Sequence, residues 1–131
     1  MKGAKEKLAR LPASPWSVLA HGATPAESQE LIAGLADLDP LIHERTRLLI
    51  LTTLSASVES AQSFPDLKET LHLTDGNLMA HLRTLETAGF VELLKKGAGR
   101  GSTTTVCLSG RGQGAFRQYL DRLESLLKAA R

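Results

Sequence analysis

The stretch LTDGNLMAHLRTLETAGFV, residues 73–91, constrains the fold of this chain more tightly than any other segment. Its apolar residues Leu78, Leu82 and Leu85 follow the i, i+4, i+7 spacing of a helix with one buried stripe. At about 100° per residue, Gly76, Ala80, Arg83, Thr84 and Thr87 fall on the opposite face. That face is small and polar with a single cation, whereas a helix displayed only to solvent usually carries more Glu and Lys. Small side chains suit insertion into a nucleic-acid groove, where bulk would hold the helix away from the base edges. The spacing predicts a helix over residues 74–88. Thr74 is placed to cap its start and Gly89 to end it, after which Phe90 and Val91 open a strand.

The flanking segments extend this pattern. Ser63, Pro65 and Asp66 start a short helix ending near Leu71, and His72, Leu73 and Thr74 form a turn. Two helices joined by about three residues have the spacing of a helix-turn-helix. Before them, residues 41–57 form another helix, in which Leu48, Leu49, Ile50 and Leu51 are consecutive. A helix apolar nearly all round is buried on more than one side. One side would face the 74–88 helix, and the other needs a cover from the N-terminal region or from another subunit.

After Gly89 the periodicity becomes β-compatible, through Phe90, Val91, Leu93 and Leu94 and again over residues 103–108. Between these runs lies KKGAGRGS, residues 95–102, a Gly-rich basic loop. Its glycines suit a β-hairpin with a tip able to approach another backbone closely. Arg100 is placed to enter a minor groove, Lys95 and Lys96 to contact phosphates, and Ser102 to flank them. Taken alone the loop fits a solvated turn equally well; coming after the 74–88 helix, it is favoured as a wing.

The 131 residues, 42% of them hydrophobic, suffice for one compact domain but not comfortably for two. With aromatics at only 4%, aliphatic residues must fill the core, and Trp16, Phe64, Phe90, Phe116 and Tyr119 are isolated large pieces. No apolar run approaches the roughly 18 residues of a membrane helix, so no membrane association is expected. Lys2, Lys5 and Lys7 are not followed by the apolar segment of a secretory signal. The single cysteine, Cys107, excludes an intramolecular disulfide and fits a reducing, cytoplasmic setting. A net charge of +2 argues only weakly for nucleic acid. Its distribution adds a little, because acidic residues gather between Glu27 and Glu44 while Lys95, Lys96 and Arg100 make the candidate wing mildly basic.

Residues 1–38 are an N-terminal extension. In it residues 5–11 fit a short helix interrupted by Pro12 and Pro15, and the segment WSVL, residues 16–19, needs a cover. TPAE, residues 24–27, is a helix start, with Thr24 as cap, Pro25 at the first position and Glu27 completing a capping box. Leu31, Leu35 and Leu38 give this helix, about 25–37, an apolar stripe for dimer packing or for covering the core. At the other end, Phe116, Tyr119, Leu120, Leu123, Leu126 and Leu127 form a broad stripe on a helix within residues 109–131, with Ser109 as its cap after a loose Gly110, Gly112, Gly114 start. A small core has little spare surface to cover that stripe. A homodimer joined through it and through Leu41 and Leu48 of the 41–57 helix is expected.

Other chemistries find little support. Gly97, Gly99 and Gly101 lie between strands with no helix following, and no GK[ST] occurs, so a nucleotide site is not expected. His21, His43, His72 and His81 are scattered, and no HExxH, CxxC or GxSxG appears. No enzyme activity, metal or cofactor is expected. Cys107 reads as strand packing, with redox sensing the lesser alternative.

Residues 73–91 resemble the recognition helix of MarR/ArsR-type winged-helix transcriptional regulators, in particular the short ones built around LTDGNLxxHLxxLExxGxV. DPLIHERTRLLILTTL (residues 39–54) resembles the opening helix of that family, FPDLKETLHLT (residues 64–74) its second helix, residues 91–108 its wing, and the Leu-rich tail its closing helix. The resemblance covers roughly residues 39–128. It implies an α+β fold, mainly α with a small β-hairpin, comprising a winged helix-turn-helix over residues 39–108 and a C-terminal dimerisation helix. The function it implies is sequence-specific binding of double-stranded DNA, with the homodimer repressing by occlusion at an inverted repeat. A small-molecule effector is compatible with it, and a winged helix turned to protein interaction without DNA affinity is the rival. The DNA-contacting set is then Thr74, Asp75, Gly76, Asn77, Ala80, His81, Arg83 and Thr84 with Lys95, Lys96, Arg100 and Ser102. His81 lies beside Asn77, off the apolar stripe, and suits either a phosphate or base edge or a hydrogen bond at the border of the core. Asp75 is the awkward member: phosphates repel it unless it accepts from a cytosine amino group or helps cap the helix.

Overall fold

A computed structural model describes residues 24–97 and 99–130. The short helix expected over residues 5–11 and the apolar segment 16–19 lie outside these residues. Helix α1 (Pro25–Ala36) begins as its sequence predicts. Thr24 Oγ1 accepts from the Glu27 N–H at 3.1 Å, and the Glu27 carboxylate accepts from the Thr24 N–H at 2.9 Å. Helix α2 (Arg45–Ala56) starts four residues later than expected. Glu44, in an extended conformation, caps it by accepting from the Arg47 N–H at 2.8 Å, so Leu41 sits in the preceding turn.

A tight turn with Glu59 and Ser60 at positive φ leads into β1 (Ala61–Ser63), a strand the sequence does not announce. It is followed by α3 (Phe64–Leu71), α4 (Asp75–Thr87), β2 (Val91–Lys96), β3 (Thr103–Leu108) and α5 (Gly110–Ala129). The expected two-stranded hairpin is thus a three-stranded antiparallel sheet, ordered β1-β3-β2. Ala61 pairs with Cys107 and Ser63 with Thr105 on one side of β3, while Val91 pairs with Leu108 and Lys96 with Thr103 on the other. Ala-Gln-Ser is too short and too polar to alternate, and only the pairing partner makes it a strand.

The chain divides into two compact units. In the first, Pro40–Gln118, the core is aliphatic: Ile50, Leu51 and Leu54 of α2, Leu67 of α3, and Leu78, Leu82 and Leu85 of α4 are fully buried, as is Val106 of β3. Phe90 and Phe116 are the aromatic pieces buried with them. Of the four consecutive apolar residues of α2, Ile50 and Leu51 are buried, Leu48 is half-buried and Leu49 is 43% exposed. Within the subunit α2 is therefore covered along one stripe and not all round. The expected loose start of α5 is instead tightly packed: Ser109 caps it, its hydroxyl accepting from the Gly112 N–H at 2.9 Å, and Gly112 is buried.

The second unit joins the described residues up to Asp39 with those from Tyr119 onward. Gly34 lets α1 lie close against α5, since a methyl group there would overlap Leu126 Cδ2. Arg122 Nη1 donates to the Asp37 carbonyl at 2.9 Å. Leu38 and Tyr119 are buried, and burial pushes the Tyr119 phenol pKa up. Helix α1 thus lies against part of the apolar stripe of α5, one of the two roles expected for it. Leu123, Leu126 and Leu127 are half-buried, while Leu120 (44%), Leu35 (50%) and Ile32 (63%) stay exposed.

Candidate nucleic-acid interface

Helix α4 is built and held by short-range signals. Thr74 Oγ1 accepts from the Asn77 N–H at 3.1 Å, capping the helix. The turn from α3 is made by His72 in a left-handed conformation, φ 54°, with the Leu73 N–H donating to the Lys68 carbonyl at 3.1 Å. At the far end Gly89, φ +81°, reverses the chain so that the Phe90 N–H donates to the Leu85 carbonyl at 2.9 Å. The Ser109 hydroxyl donates to the Gly89 carbonyl, tying the end of α4 to the start of α5.

With Leu78, Leu82 and Leu85 fully buried, the opposite face is turned outward. Thr74, Asp75, Gly76, Asn77, Ala80, Arg83 and Thr84 are all exposed. A Cβ added at Gly76 would meet nothing within 4 Å among the described residues, so this part of the face stands clear of them. Thr84 folds its hydroxyl back onto the Ala80 carbonyl at 3.2 Å, which keeps the surface low.

His81 is half-buried, and two residues that the sequence reading did not pair with it hold it there. Arg47 Nη1 lies 3.3 Å from His81 Nδ1, and Glu44 Oε2 lies 3.7 Å from the same nitrogen. An arginine donates and cannot accept, so this contact fits the neutral ring with its proton on Nε2. The Arg47 Nε–H donates to the Leu41 carbonyl. His81 therefore links α4 to the turn and cap that begin α2. No local pattern marks Glu44 for this role, since Glu is not among the favoured N-cap residues.

Partial burial works to raise the Glu44 carboxyl pKa. Hydrogen bonds from the Arg47 and Thr46 N–H groups, with the nearby charge of Arg47, outweigh it and hold the pKa below its ordinary value of 4.5. A depressed folded-state pKa contributes stability that is present above the unfolded value and lost as pH falls through the folded one. Glu44→Gln is accordingly expected to lower the urea midpoint at pH 7, with the gap from the parent narrowing as pH drops below 4.5. A gap that is constant down to pH 3 would rule out a carboxylate role for this cap.

A further contact absent from the sequence reading is an ion pair across the helix-turn-helix, with Lys68 Nζ of α3 2.8 Å from Asp75 Oδ1 of α4. The two residues are seven apart, and only the angle of the turn brings them together. In the wing, Lys95 and Lys96 are exposed at the end of β2, and Arg100 is exposed in a short 3-10 turn, Gly99–Gly101. Gly97, φ +86°, closes the tip; a Cβ there would crowd the Gly101 carbonyl at 2.8 Å. Ser102 is half-buried, its N–H donating to the Gly99 carbonyl at 3.2 Å. Among the described residues no group of His, Cys, Asp and Glu is placed to hold a metal ion, and no helix is long and apolar enough to cross a membrane.

With its exposed, capped helix α4 behind a three-residue turn and a basic hairpin after it, the chain matches a family described as a winged helix DNA-binding domain over residues 46–127. The chain belongs to that winged-helix DNA-binding family. An uncharacterised protein of Methanocaldococcus jannaschii is 44% identical to it over 66 residues, which are 50% of this chain and 71% of that protein. A transcriptional regulator homologue from Pyrococcus horikoshii has a similar structure, with a TM-score of 0.61 and 25% identity over 79% of this chain and 95% of that one. AbsC, a MarR family transcriptional regulator from Streptomyces coelicolor, shares the fold at a TM-score of 0.60 and 18% identity, over 80% of this chain and 71% of its own. A second MarR family regulator from that organism, solved in complex with DNA, shares it at a TM-score of 0.58 and 15% identity, over 80% of this chain and 67% of its own. These likenesses bear out the winged-helix fold expected from the sequence.

Proposed function

We propose that this winged helix is a sequence-specific regulator that binds double-stranded DNA as a homodimer and represses by occluding its site. Helix α4 lies in the major groove, and the β2–β3 wing lies on the backbone or in the minor groove. The observation that carries this reading is the outward face of α4: Gly76, Ala80, Arg83 and Thr84 are exposed, small or cationic, on a helix anchored by three fully buried leucines. Exposed Lys95, Lys96 and Arg100 supply the phosphate and minor-groove contacts. A MarR family regulator that shares the fold was solved in complex with DNA, which supports DNA as the ligand.

For the dimer, each unit leaves apolar side chains to a partner: Leu120, Leu35 and Ile32 in one, and Leu49 on α2 in the other. Half-buried Leu123, Leu126 and Leu127 add to the first and half-buried Leu41 and Leu48 to the second, while Phe116 and Tyr119 are buried within the subunit. A two-fold pair places two reading helices about 34 Å apart, one turn of DNA.

The test is selection of duplexes from a random pool with the purified protein at moderate salt. An enriched inverted repeat is the expected result, with log affinity falling against log salt at a slope of about −0.9 per phosphate neutralised. A folded dimer that enriches nothing would favour the protein-interaction reading. The exposed carboxylate of Asp75 at the tip of α4 is the observation on that side.

A further inference from the structure

On the reading that α4 enters the major groove, Asp75 brings an anion toward phosphates, which costs affinity unless its charge is offset. Two features of the structure offset it and leave the carboxylate usable. Lys68 Nζ sits 2.8 Å from Asp75 Oδ1, so the pair is net neutral to phosphates farther away. Capping of α4 is done by Thr74, so the Asp75 carboxylate is not consumed by the helix backbone. Its side chain is 75% exposed. Next to it, a Cβ added at Gly76 would meet nothing within 4 Å among the described residues, so no bulk there lies beside the carboxylate.

A carboxylate only accepts hydrogen bonds. In the major groove the donors are the amino groups of cytosine and adenine; guanine shows N7 and O6, and thymine shows O4 and a methyl group. Adenine places its N7 acceptor beside the amino group, which repels the second carboxylate oxygen, and cytosine does not. We propose that Asp75 is a specificity-determining residue that reads one cytosine in each half-site. Lys68 is its positioning residue, holding the carboxylate in place and cancelling its charge toward the backbone. Asp75→Asn replaces an acceptor with an amide able to pair with adenine N6 and N7.

The experiment is random-pool selection with the full chain, run in parallel for the parent, Asp75→Asn, Lys68→Gln and the double variant, with affinities measured on the selected duplexes. The parent is expected to discriminate about tenfold for cytosine at one symmetric pair of positions. Asp75→Asn is expected to change that pair alone to adenine. Lys68→Gln is expected to keep the cytosine but bind about tenfold more weakly, because an uncompensated anion then faces the phosphates. The double variant, having lost both charges, regains most of that affinity on the adenine duplex. A merely structural ion pair would alter stability and leave base preference untouched. Identical motifs from the parent and Asp75→Asn overturn the assignment of Asp75 while leaving DNA reading intact. An affinity loss in Lys68→Gln that persists in the double variant overturns the role of Lys68. A parent that selects no motif overturns the reading of α4 itself, and this inference with it.

Discussion

Gly112→Ala is expected to cost about 3 kcal/mol of stability and to lower the melting temperature by roughly 10 °C or more. In most helices the same change is stabilising by about 1 kcal/mol, because alanine has less backbone freedom to lose. Here the added methyl would overlap the Phe90 carbonyl oxygen and approach Leu108 Cδ1 at 2.8 Å. The leucine can turn aside, but the carbonyl cannot. It already accepts from the Ser109 N–H at 2.9 Å and lies where the chain leaves α4 for β2. Moving it would disturb the junction at which reading helix, wing and closing helix meet. Gly114→Ala is the control: nothing lies within 4 Å of its new Cβ, and it should be neutral or stabilising. Urea unfolding of the two variants beside the parent decides the matter. Equal midpoints for Gly112→Ala and the parent would mean that α5 does not lie this close to the backbone of residue 90.

Gly76→Glu is expected to leave the fold intact and to weaken DNA binding by at least about a hundredfold, close to 3 kcal/mol. Gly76 is exposed, in the first turn of α4, and has open space around it. The new side chain clashes with nothing, and a carboxylate near a helix N-terminus is mildly favourable. Stability should therefore hold or rise while binding collapses, because bulk and negative charge are placed against base edges and phosphates. Gly76→Ala separates the two causes: it should gain up to about 1 kcal/mol of stability and lose less affinity than Glu. Anisotropy titrations at one salt concentration, paired with urea curves, give both readouts. Unchanged affinity in Gly76→Glu would place the reading surface elsewhere on the molecule.

The two glycines show why one half of the site was legible and the other was not. Gly76 lies on a face defined by Leu78, Leu82 and Leu85, and helical periodicity places it without reference to anything distant. Gly112 looks like part of a loose glycine run, because its neighbour Phe90 is far away in sequence. The same division runs through the candidate site. Exposure of Asn77, Ala80 and Arg83 follows from the wheel. The grip of Glu44 and Arg47 on His81, and of Lys68 on Asp75, depends on the angles between α2, α3 and α4.

From the sequence alone came the extents of α1, α3 and α4, their caps at Thr24, Ser63 and Thr74, and the glycines that end α4 and close the wing tip. These depend on contacts three or four residues apart, which local side-chain chemistry decides. Tertiary structure alone decided that Ala61–Ser63 is a strand, that α2 begins at Arg45, and that Gly34 seats α1 on Leu126 of the closing helix. Each of these rests on a partner dozens of residues away or on a turn set by packing, and no local pattern encodes where such a partner will lie.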